Sequence, residues 1–407
     1  MKKIDGGITA AKGFFAASVA AGIKYKDRMD MAMIYSDSPC HAAGTYTKNI
    51  VKAAPVVWDH KITSSDRKVQ AVVINAGIAN ACTGDEGMHY CQLTSEETGR
   101  QLDLQKDTVL VASTGVIGKQ LPIDKICAGV DAMVPILSES IAAGTSAARA
   151  IMTTDTREKE IAVTFELDGK SVTVGGMCKG SGMIHPDMCT MLGFITSDIN
   201  ISREMLQTAL SASVEDTYNM VSVDGDTSTN DTVLLLANGK AENQEILQKD
   251  QGFDLFLEAL NYVNTYLAKA IAADGEGATA LFEVKVLGAA TLQDARKISK
   301  AIITSSLTKA AIFGHDANWG RILCAMGYSG ASFNPDQVDL FFESAAGRIV
   351  IMKEGNAIDF DEEKASLILS EPVVTAITDL HDGDFSATAW GCDLTCEYVK
   401  INADYRS

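Results

Sequence analysis

The chain contains no apolar run approaching the ~20 residues that a membrane-spanning helix needs, so a helical membrane protein is not expected. It also lacks a basic excess, since 53 Asp and Glu face 35 Lys and Arg for a formal charge of -18. Nucleic-acid binding rests on neutralising phosphates with Lys and Arg, and anionic membrane surfaces attract the same cations. Neither partner fits, which leaves a small molecule or another protein. Lys2 and Lys3 precede the apolar stretch Phe14 to Ile23, but Asp5, Gly6, Gly7 and Lys12 intervene, and a signal peptide is not expected. A cytoplasmic location follows as the expectation.

Several motifs fail when tested. Gly175-Gly176-Met177-Cys178-Lys179-Gly180-Ser181-Gly182 is glycine-rich, but a phosphate loop needs Gly-Lys-Ser/Thr leading into a helix, and here lysine precedes glycine. No dinucleotide fingerprint is present. The polar run Asp224 to Asp231 is not an EF-hand loop, because Thr229 and Leu235 stand where glycine and glutamate are required. Nine cysteines, an odd number, point to reduced thiols rather than a disulfide framework. Cys392 and Cys396 lie in a strand-like segment without a second pair or a histidine, so no metal site is expected. There is no internal repeat and no low-complexity linker.

What is present is a chain of 407 residues, 46% hydrophobic and 22% charged, with a mean hydropathy near zero. That length exceeds one ordinary core, and two or three domains or one large layered unit are expected. Met31 to Tyr35, Pro55 to Trp58, Lys68 to Ile74 and Asp107 to Ala112 read as strands, the last followed by a loop Ser113 to Gly118 and a helix from Pro122 to about Val134. Helices are expected over Met205 to Val214, Phe253 to Ile271, Gln293 to Ile303 and Glu362 to Leu369. Strands are expected over Val233 to Leu236, Thr279 to Leu287, Val338 to Phe342, Ile349 to Met352, Val373 to Ile377 and Ser386 to Ile401. Such mixing defines an α/β class.

The central stretch is Lys179 to Asp198. A hairpin signal precedes it, Ile161 to Leu167 and Ser171 to Val174 around Asp168-Gly169. The chain then enters a glycine-rich loop and reaches Thr190 at the start of the apolar run Met191 to Ile195. On composition alone this is a tight turn entering a sheet. His185 lies close enough in sequence to suggest a base for Thr190, but a triad would need a carboxylate that the sequence does not place.

Lys179-Gly180-Ser181-Gly182-Met183-Ile184, followed by Pro186, Met188 and Thr190-Met191-Leu192, resembles the self-cleavage segment of the ArgJ family of ornithine acetyltransferases, or glutamate N-acetyltransferases. The resemblance extends to Gly6 through Phe14, Ser113 to Gly118, Met152 to Thr156, Asp224 to Thr232, Asp274 to Thr279, Asn318 to Ile322 and Ile401 to Ser407. It implies a break between Cys189 and Thr190, giving an N-terminal chain 1–189 and a C-terminal chain 190–407 that begins with a nucleophilic threonine. An N-terminal threonine carries its own amine, with a reference pKa of about 7.7 to 8.0, and needs no histidine or metal to activate its hydroxyl.

The implied fold is the ArgJ/DmpA-like α/β arrangement, with stacked β-sheets flanked by helices and two interwoven chains assembling as a heterodimer and further. Thr114 and Gly115 are implied as the oxyanion hole, and Thr153, Lys179, Thr190, Glu276, Asn402 and Ser407 as substrate contacts. An amino-acid substrate needs a cation such as Lys179 and an anion such as Glu276. The implied reaction moves an acetyl group from N2-acetylornithine to glutamate, with no cofactor and with acetyl-CoA as an optional second donor. Cys189 replaces the family's usual alanine, His185-Pro186-Asp187 its Ala-Pro-Asn, and Ser407 its threonine. Two other readings remain: a self-processed aminopeptidase or amidohydrolase of related fold, and an uncleaved amino-acid-binding protein.

Overall fold

Asp168 and Gly169 both adopt the left-handed conformation, with φ of 53° and 71°, which a two-residue hairpin turn requires. They join the antiparallel strands Lys159–Leu167 and Lys170–Lys179 as the expected hairpin, with Leu167 opposite Lys170. The computed structural model describes residues 1–185 and 191–403. Two compact units divide it. The first takes the described residues of Met1–Gly180, Pro186–Glu215 and Thr227–Leu267, and the second those of Ser181–His185, Asp216–Asp226 and Ala268–Ser407. Each unit draws on both sides of the expected Cys189–Thr190 junction.

In the first unit the described residues form a nine-stranded sheet in the order Lys2–Ile4, Lys159–Leu167, Lys170–Lys179, Leu192–Ser197, Thr232–Ala237, Met31–Tyr46, Val69–Ile78, Val109–Val116, with Phe14–Val19 paired to Met31–Tyr46. The strand Met31–Tyr46 serves both halves of this sheet. Its residues 41–46 pair with Thr232–Ala237, and its residues 31–35 with Val69–Ile78, the register breaking between Tyr35 and Cys40. Such an irregularity bends a strand. Phe14, Ile34, Ile74 and Leu110 from one half share a core with Met177, Phe194 and Leu234 from the other, so the sheet stacks on itself. The helix Ile123–Met133 covers a second face, with Ile126, Val130 and Met133 against Met31, Met33 and Val73.

Gly175 and Gly176 lie inside the strand Lys170–Lys179. A Cβ on Gly175 would overlap the Gly7 carbonyl, and one on Gly176 would meet Leu267 at 3.0 Å and Val263 at 3.1 Å. These glycines allow close packing in the core.

The second unit contains, among the described residues, a seven-stranded sheet in the order Asn356–Ala357, Gly347–Lys353, Asp339–Ser344, Val373–Asp379, Leu281–Ala289, Phe385–Cys392, Val221–Ser222. The helix Leu292–Thr304 buries Ala295, Ile298, Ile302 and Ile303, a stripe at helical spacing. The fold is mixed α/β, as expected.

Three local expectations are corrected. Pro55 to Trp58 belongs to the helix Ala54–Thr63. The segment Ser113 to Val116 continues the strand Val109–Val116 instead of forming a loop. The strand expected over Ser386 to Ile401 ends at Cys392, and Cys396–Ala403 is helical. The helices Gly84–Leu102, Ile141–Ala150 and Ser306–Phe313 were not anticipated. No helix among the described residues is long and apolar enough to cross a membrane.

Candidate active site

Thr114 and Gly115 sit near the end of a parallel strand pair, and the pairing of Val69–Ile78 with Val109–Val116 becomes irregular at Gly77 and Ile78. Gly77 has φ of 106° and Gly115 φ of 131°, a region that side chains disfavour. A Cβ on Gly115 would overlap the Gly77 carbonyl. Glycine is required here because two backbones cross at close range.

Buried backbone oxygens are rarely left unpaired, and around this crossing side chains serve several of them. The Asn230 side-chain amide donates to Ala79 O at 2.6 Å and to Ser113 O at 2.8 Å. Its own oxygen accepts from Thr229 Oγ1 at 2.7 Å. Ser113 Oγ donates to Asn75 Oδ1 at 2.6 Å, and Asn75 Nδ2 donates to Ile78 O at 2.9 Å. Thr114 and Gly115 therefore follow a residue that is fixed through both its carbonyl and its hydroxyl.

Thr153 and Lys179 are brought together by a residue that sequence reasoning did not select. The buried Asp155 carboxylate accepts from Lys159 Nζ and from the Gly180 N–H, both at 2.7 Å on Oδ1. Its Oδ2 accepts from the Thr153 N–H at 3.0 Å and lies 3.9 Å from Lys179 Nζ. Burial by itself would raise the Asp155 pKa, but Lys179 and Lys159, with the hydrogen bonds, hold it well below the usual carboxylate range. The carboxylate is thus charged at any physiological pH. Arg28 donates to the carbonyls of Met152, at 2.6 Å, and Thr153, at 3.3 Å, which fixes the same turn from outside.

In the second unit, Glu276 and Asn402 meet directly, Asn402 Nδ2 donating to Glu276 Oε2 at 2.7 Å. The Glu276 N–H donates to Ser181 O at 2.9 Å, and its carboxylate packs on Gly182, where a Cβ would overlap it. Asp224 accepts from the consecutive N–H groups of Met183, at 2.6 Å, and Ile184, at 2.8 Å. Met183 has φ of 56°, and consecutive N–H groups at such a turn form a concave site for an anion. Tyr398 Oη donates to Asp224 at 3.1 Å. Burial, together with that carboxylate, raises the phenol pKa, so the donor proton is retained. His185 Nδ1 lies 3.1 Å from Ser222 Oγ.

Cys189, Thr190 and Ser407 lie outside the described residues. Of the other expected site residues, Thr114 and Gly115 share one strand, Thr153 and Lys179 share Asp155, and Glu276 pairs with Asn402. Sequence reasoning missed Asp155, Lys159, Asn230, Asp224 and Tyr398 as site components. Asp155, Asp224 and Asn230 stand inside motifs already singled out, so their polar type within those motifs was the available signal.

The chain belongs to the ArgJ family, whose model matches residues 15–407. It is similar to the arginine biosynthesis bifunctional protein ArgJ 1 of Clostridium acetobutylicum, with 51% identity over 400 residues, 98% of this chain and 97% of that one. The arginine biosynthesis bifunctional protein ArgJ of Thermotoga neapolitana is 50% identical over 397 residues, 97% of this chain and 99% of its own. Among solved structures, the arginine biosynthesis bifunctional protein ArgJ of Bacillus halodurans is 47% identical with a TM-score of 0.50, covering 53% of this chain and 99% of its own.

Proposed function

We propose that this protein is an acetyltransferase of arginine biosynthesis that moves an acetyl group from N2-acetylornithine to glutamate. The observation that carries the reading is the family match over residues 15–407, which includes every candidate site residue. We further propose that the chain cleaves itself between Cys189 and Thr190, and that the resulting pair of fragments stays together and assembles further. The Bacillus halodurans chain is matched over 99% of its length while covering 53% of this one, close to the share that residues 190–407 occupy. That length supports a two-chain product.

The chemistry follows from the residue types. Thr190 Oγ attacks the acetyl carbonyl of N2-acetylornithine while its own α-amine takes the hydroxyl proton. The oxyanion that forms is held by Thr114 and Gly115, and one such donor is typically worth about 2.7 to 4 kcal/mol. Collapse breaks the C–N bond, and the ornithine amine leaves with the proton. An acetyl ester of Thr190 remains. Glutamate's amine attacks that ester through a second oxyanion, N-acetylglutamate departs, and the hydroxyl regains its proton. Thr153, Lys179, Glu276, Asn402 and Ser407 hold the substrates, Lys179 facing a carboxylate and Glu276 an ammonium group. Acetyl-CoA as a second acetyl donor to the same threonine belongs to the proposal.

The test is a transfer assay with purified protein. Ornithine and N-acetylglutamate appear in equal amounts, with parallel double-reciprocal lines for the two substrates. Release of acetate at the same rate without glutamate would replace the transferase with a hydrolase.

A further inference from the structure

The segment ending at Thr232 touches two places that the proposed chemistry must hold at a fixed separation. On one side, the Thr232 N–H donates to Met191 O at 3.0 Å, and the strand Thr232–Ala237 runs parallel to Leu192–Ser197 with Thr232 opposite Leu192. Met191 directly follows Thr190. On the other side, two residues back, the Asn230 amide donates to Ser113 O and Ala79 O, at 2.8 and 2.6 Å. Ser113 directly precedes Thr114. All of these residues lie within the first unit.

The segment is itself held. Thr232 Oγ1 donates to Asn230 O at 3.0 Å, the Asn230 N–H donates to Ser228 Oγ at 3.1 Å, and Thr229 Oγ1 orients the amide by donating to its oxygen. The Thr47 N–H donates to Asp231 O at 3.0 Å, and the Ala53 N–H to Thr229 O at 2.9 Å. Both protons of the Asn230 amide are used, on the carbonyls of Ala79 and Ser113 that flank the close crossing of Gly77 and Gly115. Asn230 is 7% exposed, so water does not readily take over its bonds.

We infer that Asn230 is a positioning residue for acetyl transfer, tying the strand that starts after the nucleophile to the strand that carries the oxyanion donors. This inference rests on the proposed roles of Thr190, Thr114 and Gly115. Positional error of about 1 Å between a nucleophile and its oxyanion donors costs on the order of a hundredfold in rate, whereas substrate affinity depends on other side chains. Loss of the tie therefore acts on kcat and spares KM.

The experiment compares wild type, Asn230→Ala, Thr114→Ala and the double variant, with kcat referred to the cleaved fraction measured by intact mass. Asn230→Ala lowers kcat ten- to a hundredfold with KM for N2-acetylornithine within twofold, and adds less than threefold to the loss in Thr114→Ala. Thr229→Val, which keeps both amide donors but removes the hydroxyl orienting them, lowers kcat two- to fivefold and serves if Asn230→Ala does not fold. Wild-type kcat in Asn230→Ala, or in Thr229→Val when the former does not fold, overturns the inference. So do losses that multiply in the double variant while Thr114→Ala alone is impaired. If Thr114→Ala keeps wild-type kcat, the oxyanion assignment itself fails and the inference falls with it.

Discussion

Asn402 donates its side-chain amide to the Glu276 carboxylate at 2.7 Å, so a residue near the C-terminus fixes the anion proposed to receive a substrate ammonium group. Gly182, just before the expected cleavage point, packs on that carboxylate, and Ser181 O accepts the Glu276 backbone N–H at 2.9 Å. Glu276→Gln removes the charge and keeps the shape, and KM for N2-acetylornithine rises at least tenfold. Asn402→Ala removes one hydrogen bond, typically about 0.5 to 1.5 kcal/mol, and KM rises about three- to tenfold by the same measure. Initial-rate kinetics checks both. An unchanged KM in Glu276→Gln removes Glu276 from the substrate site.

Asp155 is the shared partner of Lys159 and Lys179, and its loss leaves two buried ammonium groups without their carboxylate. Removing one partner of a buried ion pair costs about 3 to 5 kcal/mol, so Asp155→Ala shows a large fall in denaturation midpoint. Because the folded-state pKa is depressed, the stabilisation is fully present above the unfolded value of about 3.9. It is lost as pH falls toward the folded pKa. Urea titrations from pH 3 to 7 show the gap between wild type and Asp155→Asn closing only at the acid end. A constant gap across that range contradicts the assignment.

Asp59 behaves in the opposite sense. It is fully buried, its Oδ1 accepts the Val111 N–H at 2.9 Å, and its Oδ2 has no partner among the described residues. Burial pushes its pKa well above the carboxylate range. The unfolded chain ionises above about pH 3.9 while the folded protein holds the proton, so this group costs stability as pH rises. Asp59→Asn keeps the acceptor and removes the titration. The variant gains stability relative to wild type, and the gain is larger at pH 8 than at pH 5, read from denaturant midpoints.

Gly115→Ala tests the close crossing with Gly77. The backbone at φ of 131° strains any side chain by about 1 to 3 kcal/mol, and overlap with the Gly77 carbonyl adds to this. The expected outcome is a lower melting temperature together with a loss of kcat beyond that of Thr114→Ala. Wild-type activity in this variant would show that the crossing tolerates a methyl group.

Much of the fold was legible where burial follows a simple period. The hairpin at Asp168-Gly169 and the helix Leu292–Thr304 declare themselves through alternation and an apolar stripe. Gly84–Leu102 does not, because it buries Gly87, Cys91, Thr94, Ser95, Thr98 and Gly99, a face made of small and polar residues. In Ala54–Thr63 the dense run Val56-Val57-Trp58 reads as strand, and the proline at the first helical turn was the overlooked signal. Cys396–Ala403 carries Tyr398, Val399 and Ile401, strand-favouring types, on a helix with no fully buried residue. At the site, Lys179 and Glu276 were expected from the family resemblance, with their charges in support. Asp155 and Asn230 act through partners up to 151 positions away, and only the folded chain brings those together.

The central claim is that Thr190 becomes an N-terminal nucleophile. Intact mass under denaturing conditions, with N-terminal sequencing of the fragments, tests it most directly. The expected result is two fragments, the second beginning Thr-Met-Leu-Gly, and their absence in Thr190→Ala. A single unbroken chain of 407 residues that still transfers acetyl groups would contradict it.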